Sequence, residues 1–138
     1  METEKRFNEN HQVRAAEGER KIGGYAAVFE QWTRIGPRFE EKIAKGAFAS
    51  SLPNGDIRAL WSHNTDLVIG RTRNGSLKLR EDDTGLAFDL LLPDTTQGRD
   101  AFTLIKEGFV TGVSFGFRVK KDSWECGEGE KPHRRTIS

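Results

Sequence analysis

A serine between two glycines is the residue in this sequence whose surroundings best suit chemistry. Ser114 lies in the run GVSFG at 112–116, which matches the G-x-S-x-G pattern of nucleophilic serines in α/β-hydrolases. Its flanks are typical of a continuous strand, and the chain is too short for that fold, so the pattern alone is weak evidence. The glycines nevertheless leave room for a substrate backbone to approach the hydroxyl. The alternative interpretation is a glycine-rich strand face packed under a helix.

Of the three histidines, His63 is the one placed to act as a general base. His11 and His133 lie in polar terminal segments, whereas His63 directly follows the apolar stretch at 57–62. An imidazole titrates near neutral pH and can take a proton from a hydroxyl, which is otherwise a poor nucleophile. A solvent-capped histidine at a strand end is the alternative, but Ser114 and His63 together are more informative than either alone.

Other site chemistries find little support in the motifs. One cysteine, Cys126, and three scattered histidines give no metal-ligand spacing, so we predict neither a metal site nor a cofactor. The Asp82-Asp83 pair lacks the alternating oxygen ligands of a calcium loop and is typical of a hairpin turn. No glycine-rich stretch is followed by the Lys-Ser or Lys-Thr of a phosphate loop.

The composition is that of a single globular domain. The chain has 138 residues, a net charge of +1 and 35% hydrophobic residues. These values argue against a strongly basic nucleic-acid binder and against a disordered acidic tail. No apolar run approaches the ~20 residues that span a membrane, and residues 1–10 lack the apolar region of a secretory signal. We therefore expect neither a membrane nor a nucleic-acid partner, and the single cysteine favours a reducing, cytoplasmic setting.

Hydrophobic periodicity predicts short strands joined mostly by hairpins. Strands are predicted at 21–29, 57–63, 67–71, 77–80, 86–92 and 110–120, and helices at 39–52 and 98–107. Residues 1–20 are polar and are interpreted as a flexible N-terminal arm before a domain at 21–138. The polar tail from residue 122 onward has little to pack against and is predicted to be mobile. The predicted fold class is α+β, a mainly antiparallel small β-barrel flanked by helices.

Taken in chain order, a set of short motifs resembles the prohead proteases of tailed bacteriophages. The set comprises GYAAVF at 24–29, EKIAKGAF at 41–48, ALWSHN at 59–64, VIGRT at 68–72, LPDT at 92–95, GRD at 98–100, GFVTGVSFGF at 108–117 and Trp124. Each motif is weakly specific, but the ordered set is strongly so. These proteases are similar in fold to assemblin, the herpesvirus maturation protease, so the resemblance implies an assemblin-like barrel.

The resemblance implies a serine endopeptidase that cleaves phage capsid and scaffold proteins during prohead maturation. The family's histidine falls on His63 and its serine on Ser114, which we expect within hydrogen-bonding reach of each other. The major capsid protein and the scaffold would be the substrates, in the host cytoplasm inside the assembling procapsid. No cofactor is implied, and a homo-oligomer and a phage or prophage origin are left open.

The third member of the catalytic triad is the residue that the motifs do not supply. In the family it lies downstream of the serine, and we expect an acidic residue on a strand after the Arg-Thr-Ile run at 135–137, where this chain stops. The resemblance therefore implies a domain truncated at its C-terminal end, with Asp89, Asp122 and Glu125 as substitutes within the chain. Backbone N–H groups at 112–116 or around Arg134-Arg135 are the candidate oxyanion donors.

Two other classes of function stay open at this point. A capsid-assembly or scaffold module could keep the same fold without catalysis, and a missing downstream strand favours it somewhat. A small β-barrel that binds nucleic acid or peptide could use Trp32, Trp61 and Trp124 beside arginines as a stacking surface. The near-neutral charge argues against nucleic acid, and salt-dependent binding would test it.

Overall fold

Twelve short strands and one α-helix make up the part of the chain that the computed structural model describes, residues 4–8, 14–16, 19–37 and 39–138. The strands are β1 Glu4–Asn8, β2 Arg14–Ala16, β3 Lys21–Val28, β4 Thr33–Ile35, β5 Phe39–Ile43, β6 Arg58–Leu60, β7 Val68–Arg71, β8 Leu77–Glu81, β9 Gly85–Leu91, β10 Val113–Phe117, β11 Asp122–Glu125 and β12 His133–Ile137. The helix α1 spans Thr96–Lys106, and a 3-10 turn spans Trp61–His63. Only the backbone is described at residues 7, 8, 14, 16, 63 and 113–115.

Within the described residues the strands form four sheets. Their orders are β1-β10, β11-β12-β5-β4, β2-β3-β9-β8 and β6-β7. Every pair is antiparallel except β5 with β12, which is parallel. The α+β class and the mainly antiparallel pairing are thus confirmed. The closed barrel flanked by helices is not, because these sheets do not join into a ring and the described part holds one α-helix.

The core forms around β3 and β9, paired strands that carry much of the buried apolar surface; four consecutive residues of β9, 85–88, are buried. Ile22 on β3 lies opposite Leu90 on β9, and both side chains are buried. Ala101 and Ile105 form the buried face of α1, and Leu92 just before α1 is 1% exposed. Burying one leucine or isoleucine side chain contributes roughly 1.5–3 kcal/mol. The strands predicted at 21–29 and 86–92 and the helix predicted at 98–107 are confirmed.

The start of α1 follows from its sequence. The Thr95 hydroxyl caps the helix by accepting a hydrogen bond from the Gly98 N–H at 3.0 Å. A Cβ at Gly98 would lie 2.0 Å from the Pro93 carbonyl oxygen, so only glycine fits at this close approach.

No helix in the described ranges has both the length and the apolar character needed to cross a membrane.

The helix predicted at 39–52 is wrong. The segment begins as the strand β5 and continues through turns to residue 54. Glu41 and Ile43 are buried at alternate positions, which is the period of a strand. Because β5 has a partner on each edge, β4 and β12, sheet pairing outweighs the near-helical spacing of the apolar residues.

Both polar ends of the chain contribute strands. In the segment interpreted as a flexible arm, β1 pairs with β10 and β2 pairs with β3. The prediction that the tail from residue 122 is mobile is wrong, because this tail forms β11 and β12. Arg135 and Ile137 of β12 are 9% and 7% exposed. Backbone pairing and ion pairs hold these strands, and neither leaves an apolar period in the sequence.

Candidate active site

Ser114 is the second residue of β10, and this strand is positioned both by the end of α1 and by its pairing with β1. Just before it, Gly108 adopts a φ of 81° after α1, and the Phe109 N–H donates to the Leu104 carbonyl at 2.9 Å. This closes the end of α1 and directs the chain into β10. β10 then pairs with β1, with Phe7 opposite Ser114. A helix end and the N-terminal strand together therefore set the position of the Ser114 backbone.

His63 is the last residue of the 3-10 turn that follows β6, so it lies beyond the strand end at which it was predicted. Backbone hydrogen bonds close the turn. The Trp61 N–H donates to the Leu67 carbonyl, and the Asn64 N–H donates to the Trp61 carbonyl, each at 3.0 Å. The Asn64 side-chain oxygen accepts from the Asp66 N–H at 2.9 Å. Since β6 and β7 are paired on either side of the turn, the backbone at His63 is held at both ends.

Ser62, the neighbour of His63, has a left-handed backbone conformation. Its φ is 53° and its ψ is 38°. A residue with a Cβ loses roughly 1–2 kcal/mol there relative to the right-handed region. Such strain persists where the surrounding structure fixes it, and it is concentrated at functional sites. The turn that carries His63 is therefore held in a conformation that the residue types did not indicate.

We expect Ser62→Gly to stabilise the protein by up to about 1 kcal/mol, because glycine adopts this conformation without a steric cost. Ser62→Val should destabilise it by roughly 1–2 kcal/mol, since a β-branched residue fits the left-handed region worst. Equilibrium unfolding in urea measures both changes. Ser123→Val, at an exposed extended position of β11, is the matched control and should change stability by less than about 0.5 kcal/mol. Wild-type stability of Ser62→Val would show that the position is unstrained.

The three acidic residues named as substitutes for the third triad member lie on β9 and β11. Asp89 is exposed on β9 and accepts a hydrogen bond from Arg80 at 2.6 Å. Asp122 begins β11 and accepts from Arg135 Nε at 2.8 Å. Glu125 is exposed at the end of β11. Because the side chains of the catalytic candidates lie outside the described residues, their mutual contact and the choice among these acids stay predictions.

The two arginines near the candidate oxyanion donors differ in their surroundings. Arg134 is exposed and donates to Glu40 at 3.2 Å. Arg135 is buried, and its guanidinium donates to three carboxylates. Their strand, β12, lies between β11 and β5, so its backbone groups face a neighbouring strand on each side. This pairing argues against these N–H groups as oxyanion donors, whereas β10 has a strand partner on one edge only within the described residues.

Two of the tryptophans considered for base stacking already contact cations of their own chain. The Trp32 ring lies 5.0 Å from Lys42 Nζ and 4.8 Å from the Arg134 guanidinium carbon. The Trp124 ring lies 5.6 Å from the guanidinium carbon of Arg135. These contacts reduce the ring surface that a nucleic-acid base could cover.

In the described part of the chain, no three His, Cys, Asp or Glu side chains are grouped to hold a metal ion.

Five charged side chains form an ionic cluster that the sequence did not predict, and this cluster joins β1 to β5, β11 and β12. Its members are Glu4, Arg6, Glu41, Asp122 and Arg135. Arg6 donates to both carboxylate oxygens of Glu41, at 2.7 and 2.9 Å. Arg135 donates to both oxygens of Glu4, at 3.0 and 3.1 Å. Arg135 also donates to Glu41, which is 4% exposed, at 3.2 Å.

The sequence did carry one sign of this cluster. Glu41 lies two positions before the buried Ile43, and Arg135 lies two positions before the buried Ile137. A charged residue in phase with the apolar face of a strand must be paired if it is buried. This pattern predicts the pairing of Glu41 with Arg135 only when the segments that carry them are both recognised as strands.

The ion pairs shift the pKa values of three cluster members. Hydrogen bonds from Arg135 hold the pKa of Glu4 below its usual range, although partial burial opposes the shift. The hydrogen bonds to Glu41 raise the pKa of Arg6. Burial works against the charge of Arg135, but its hydrogen bonds to Glu4 and Asp122 outweigh burial and raise its pKa. Glu4, Arg6 and Arg135 are therefore all charged at neutral pH.

Comparison with known proteins identifies the family of the chain. A sequence model of the family described as Caudovirus prohead serine protease matches residues 8–138, a range that includes both His63 and Ser114. No curated protein and no solved structure matches the chain, so the similarity in fold to assemblin stays a prediction. The family match covers nearly the whole sequence. The chain therefore belongs to the caudovirus prohead serine protease family.

Proposed function

We propose that the chain is a serine endopeptidase that cleaves capsid and scaffold proteins during prohead maturation, with Ser114 as the nucleophile and His63 as the general base. The observation that carries the proposal is the family match over residues 8–138, which includes the motifs around both residues. A prohead serine protease implies capsid proteins as substrates, inside the assembling procapsid in the host cytoplasm.

In the proposed reaction, the His63 imidazole takes the hydroxyl proton as Ser114 Oγ attacks the scissile carbonyl carbon. The tetrahedral intermediate collapses to an acyl-enzyme when the carbon–nitrogen bond breaks, and the imidazolium gives its proton to the leaving amine. A water molecule, deprotonated by His63, then attacks the ester carbon. The carboxylic acid product leaves, and Ser114 regains its proton.

The surroundings of the two backbones are consistent with these roles. Gly116 of β10 is exposed, and neither Gly112 nor Gly116 carries a side chain that would keep a peptide backbone away. Two hydrogen bonds of 3.0 Å fix the turn at His63. A base needs such a fixed position, because a displacement of about 1 Å can reduce the rate roughly 100-fold.

A biotinylated fluorophosphonate tests the proposal, because it reacts with an activated serine and not with an ordinary one. We expect the label on the tryptic peptide 107–118, which contains Ser114, and we expect His63→Ala to suppress it. Heat-denatured protein and the exposed Ser123 should remain unlabelled. A folded protein that takes no label and leaves the capsid precursor uncut would instead be a capsid-assembly module without catalysis.

A further inference from the structure

We propose that the ionic cluster sets the register of the strand that carries Ser114, so that Arg6 and Glu41 are positioning residues of the peptidase. The inference rests on the proposed function only in taking Ser114 as the nucleophile. The register itself is a property of the fold, and it can be measured without any activity.

β1 is the strand that pairs with β10 in the described structure. The pairing is antiparallel and five residues long, from Glu4 opposite Phe117 to Asn8 opposite Val113. A two-stranded pairing this short is marginally stable by itself in water. The β1 sequence, EKRFN, holds a single apolar residue. The position of β1 therefore depends on what its side chains contact beyond β10.

Glu4 and Arg6 supply these contacts. Residues two apart on a strand project from the same face, and both side chains reach the Glu41–Arg135 pair on β5 and β12. Arg6 binds Glu41 through two hydrogen bonds, and Arg135 binds Glu4 through two more. Arg6 also donates to Glu4 at 2.7 Å, and Arg135 to Glu41 at 3.2 Å. The four side chains thus form a closed ring of charge-assisted hydrogen bonds.

The half of the ring on β5 and β12 is fixed by the fold. Glu41 lies opposite Arg135 in the parallel pairing of these strands, and the next inward pair is Ile43 opposite Ile137, both buried. Asp122 holds Arg135 Nε at 2.8 Å from the neighbouring strand β11. β1 must therefore align with one fixed negative group and one fixed positive group.

This alignment allows one register of β1. A slip by two residues would move Glu4 and Arg6 about 6.6 Å along the strand, which breaks their hydrogen bonds to Glu41 and Arg135. A slip by one residue would turn both side chains to the opposite face. Guanidinium–carboxylate forks are geometrically selective, and a buried carboxylate left without its partner is costly.

The position of β1 affects that of β10 through backbone pairing and through one side-chain contact. β1 pairs with β10 along its whole length, and the Arg6 guanidinium carbon lies 5.3 Å from the centre of the Phe117 ring. The ring of charges therefore aligns β1, and β1 aligns the backbone of Ser114. In this proposal the cluster selects the register and need not add net stability, because the desolvation of buried charges offsets much of their attraction.

Arg6→Lys tests the proposal, because lysine keeps the charge but loses the two-pronged geometry. We expect cross-strand NMR contacts between Lys5 and Gly116, which are opposite each other, to weaken or be replaced by contacts of other registers. The rate of fluorophosphonate labelling and kcat for a peptide substrate should fall roughly 10- to 100-fold with little change in KM. Arg99→Lys, in an exposed ion pair of 2.8 Å with Asp94, is the matched control and should alter neither readout.

A wild-type register and a wild-type labelling rate in folded Arg6→Lys would overturn the proposal. Should that variant fail to fold, Glu4→Gln at the more exposed side of the ring takes its place, and an unchanged register there overturns the proposal equally. If the wild-type protein takes no label at all, the proposed function fails, while the NMR contacts still decide whether the ionic cluster sets the register.

Discussion

Ser114→Ala and His63→Ala are each expected to slow cleavage of the capsid precursor by about 10⁴- to 10⁶-fold. Without the Ser114 hydroxyl no acyl-enzyme forms. Without the imidazole the hydroxyl keeps its proton and attacks poorly. The measurement is the rate at which purified capsid precursor is converted to product on a gel, together with kcat/KM for a peptide that spans the cleavage site.

Matched substitutions separate this effect from damage to the fold. Ser123→Ala on β11 and His133→Ala on β12 remove the same side chains at exposed positions and should cleave at close to the wild-type rate. The double variant of Ser114 and His63 should lose no more activity than either single variant, because two residues that act as a unit are strongly non-additive. Wild-type cleavage by a folded single variant would remove that residue from the mechanism.

The parts of the fold that the sequence predicts are those whose cause is local. β3 and β9 follow from the short apolar runs at 21–29 and 86–92. α1 follows from its apolar face, and Gly108 with its φ of 81° marks where it stops. The placement of Ser114 on a strand was likewise indicated by a short run of neighbouring residues, whereas His63 lies in the 3-10 turn beyond its predicted strand. None of these inferences requires knowledge of which distant segments meet.

The parts that could not be predicted depend on partners far along the chain. β5 is a strand because β12 pairs with it, and Glu41 and Arg135 lie 94 positions apart. Glu4 on β1 binds Arg135, which lies 131 positions away along the chain. Charged side chains that pair across such separations produce no periodic pattern of their own, so the polar tail from residue 122 was predicted to be mobile. The left-handed backbone conformation at Ser62 could not be predicted either, because serine is not a residue type that indicates this conformation.

Glu41→Ala is expected to cost about 3–5 kcal/mol of stability, a large share of the 5–15 kcal/mol typical of a folded domain. Glu41 is 4% exposed and accepts hydrogen bonds from both Arg6 and Arg135. Removing it leaves two guanidinium groups close together, with one carboxylate fewer to neutralise them where little water reaches. Equilibrium unfolding in urea, followed by circular dichroism, measures the change, and an unchanged slope would show that the unfolded state is the same.

Glu40→Ala is the matched control for this prediction. Glu40 precedes Glu41 on β5, but its side chain is 26% exposed and its ion pair with Arg134, at 3.2 Å, lies at the surface. Pairs of this kind contribute about 0–1 kcal/mol, so the control should lose no more than that. A Glu41→Ala protein as stable as the Glu40→Ala protein would show that water solvates the cluster despite its burial.

A triple variant then separates the stability of the cluster from its role in alignment. Arg6→Met, Glu41→Leu and Arg135→Met together replace two buried charges and the partly buried Arg6 with apolar side chains of similar volume. Such a change is often neutral or stabilising. Glu4 and Asp122, whose side chains are 28% and 31% exposed, can then turn to water. We expect this variant to recover most of the stability that Glu41→Ala loses, while β1 no longer keeps a single register on β10. If the triple variant instead stays as unstable as Glu41→Ala, the cluster stabilises the fold directly. A triple variant with full stability and a native register would show that backbone pairing alone aligns the strand of Ser114.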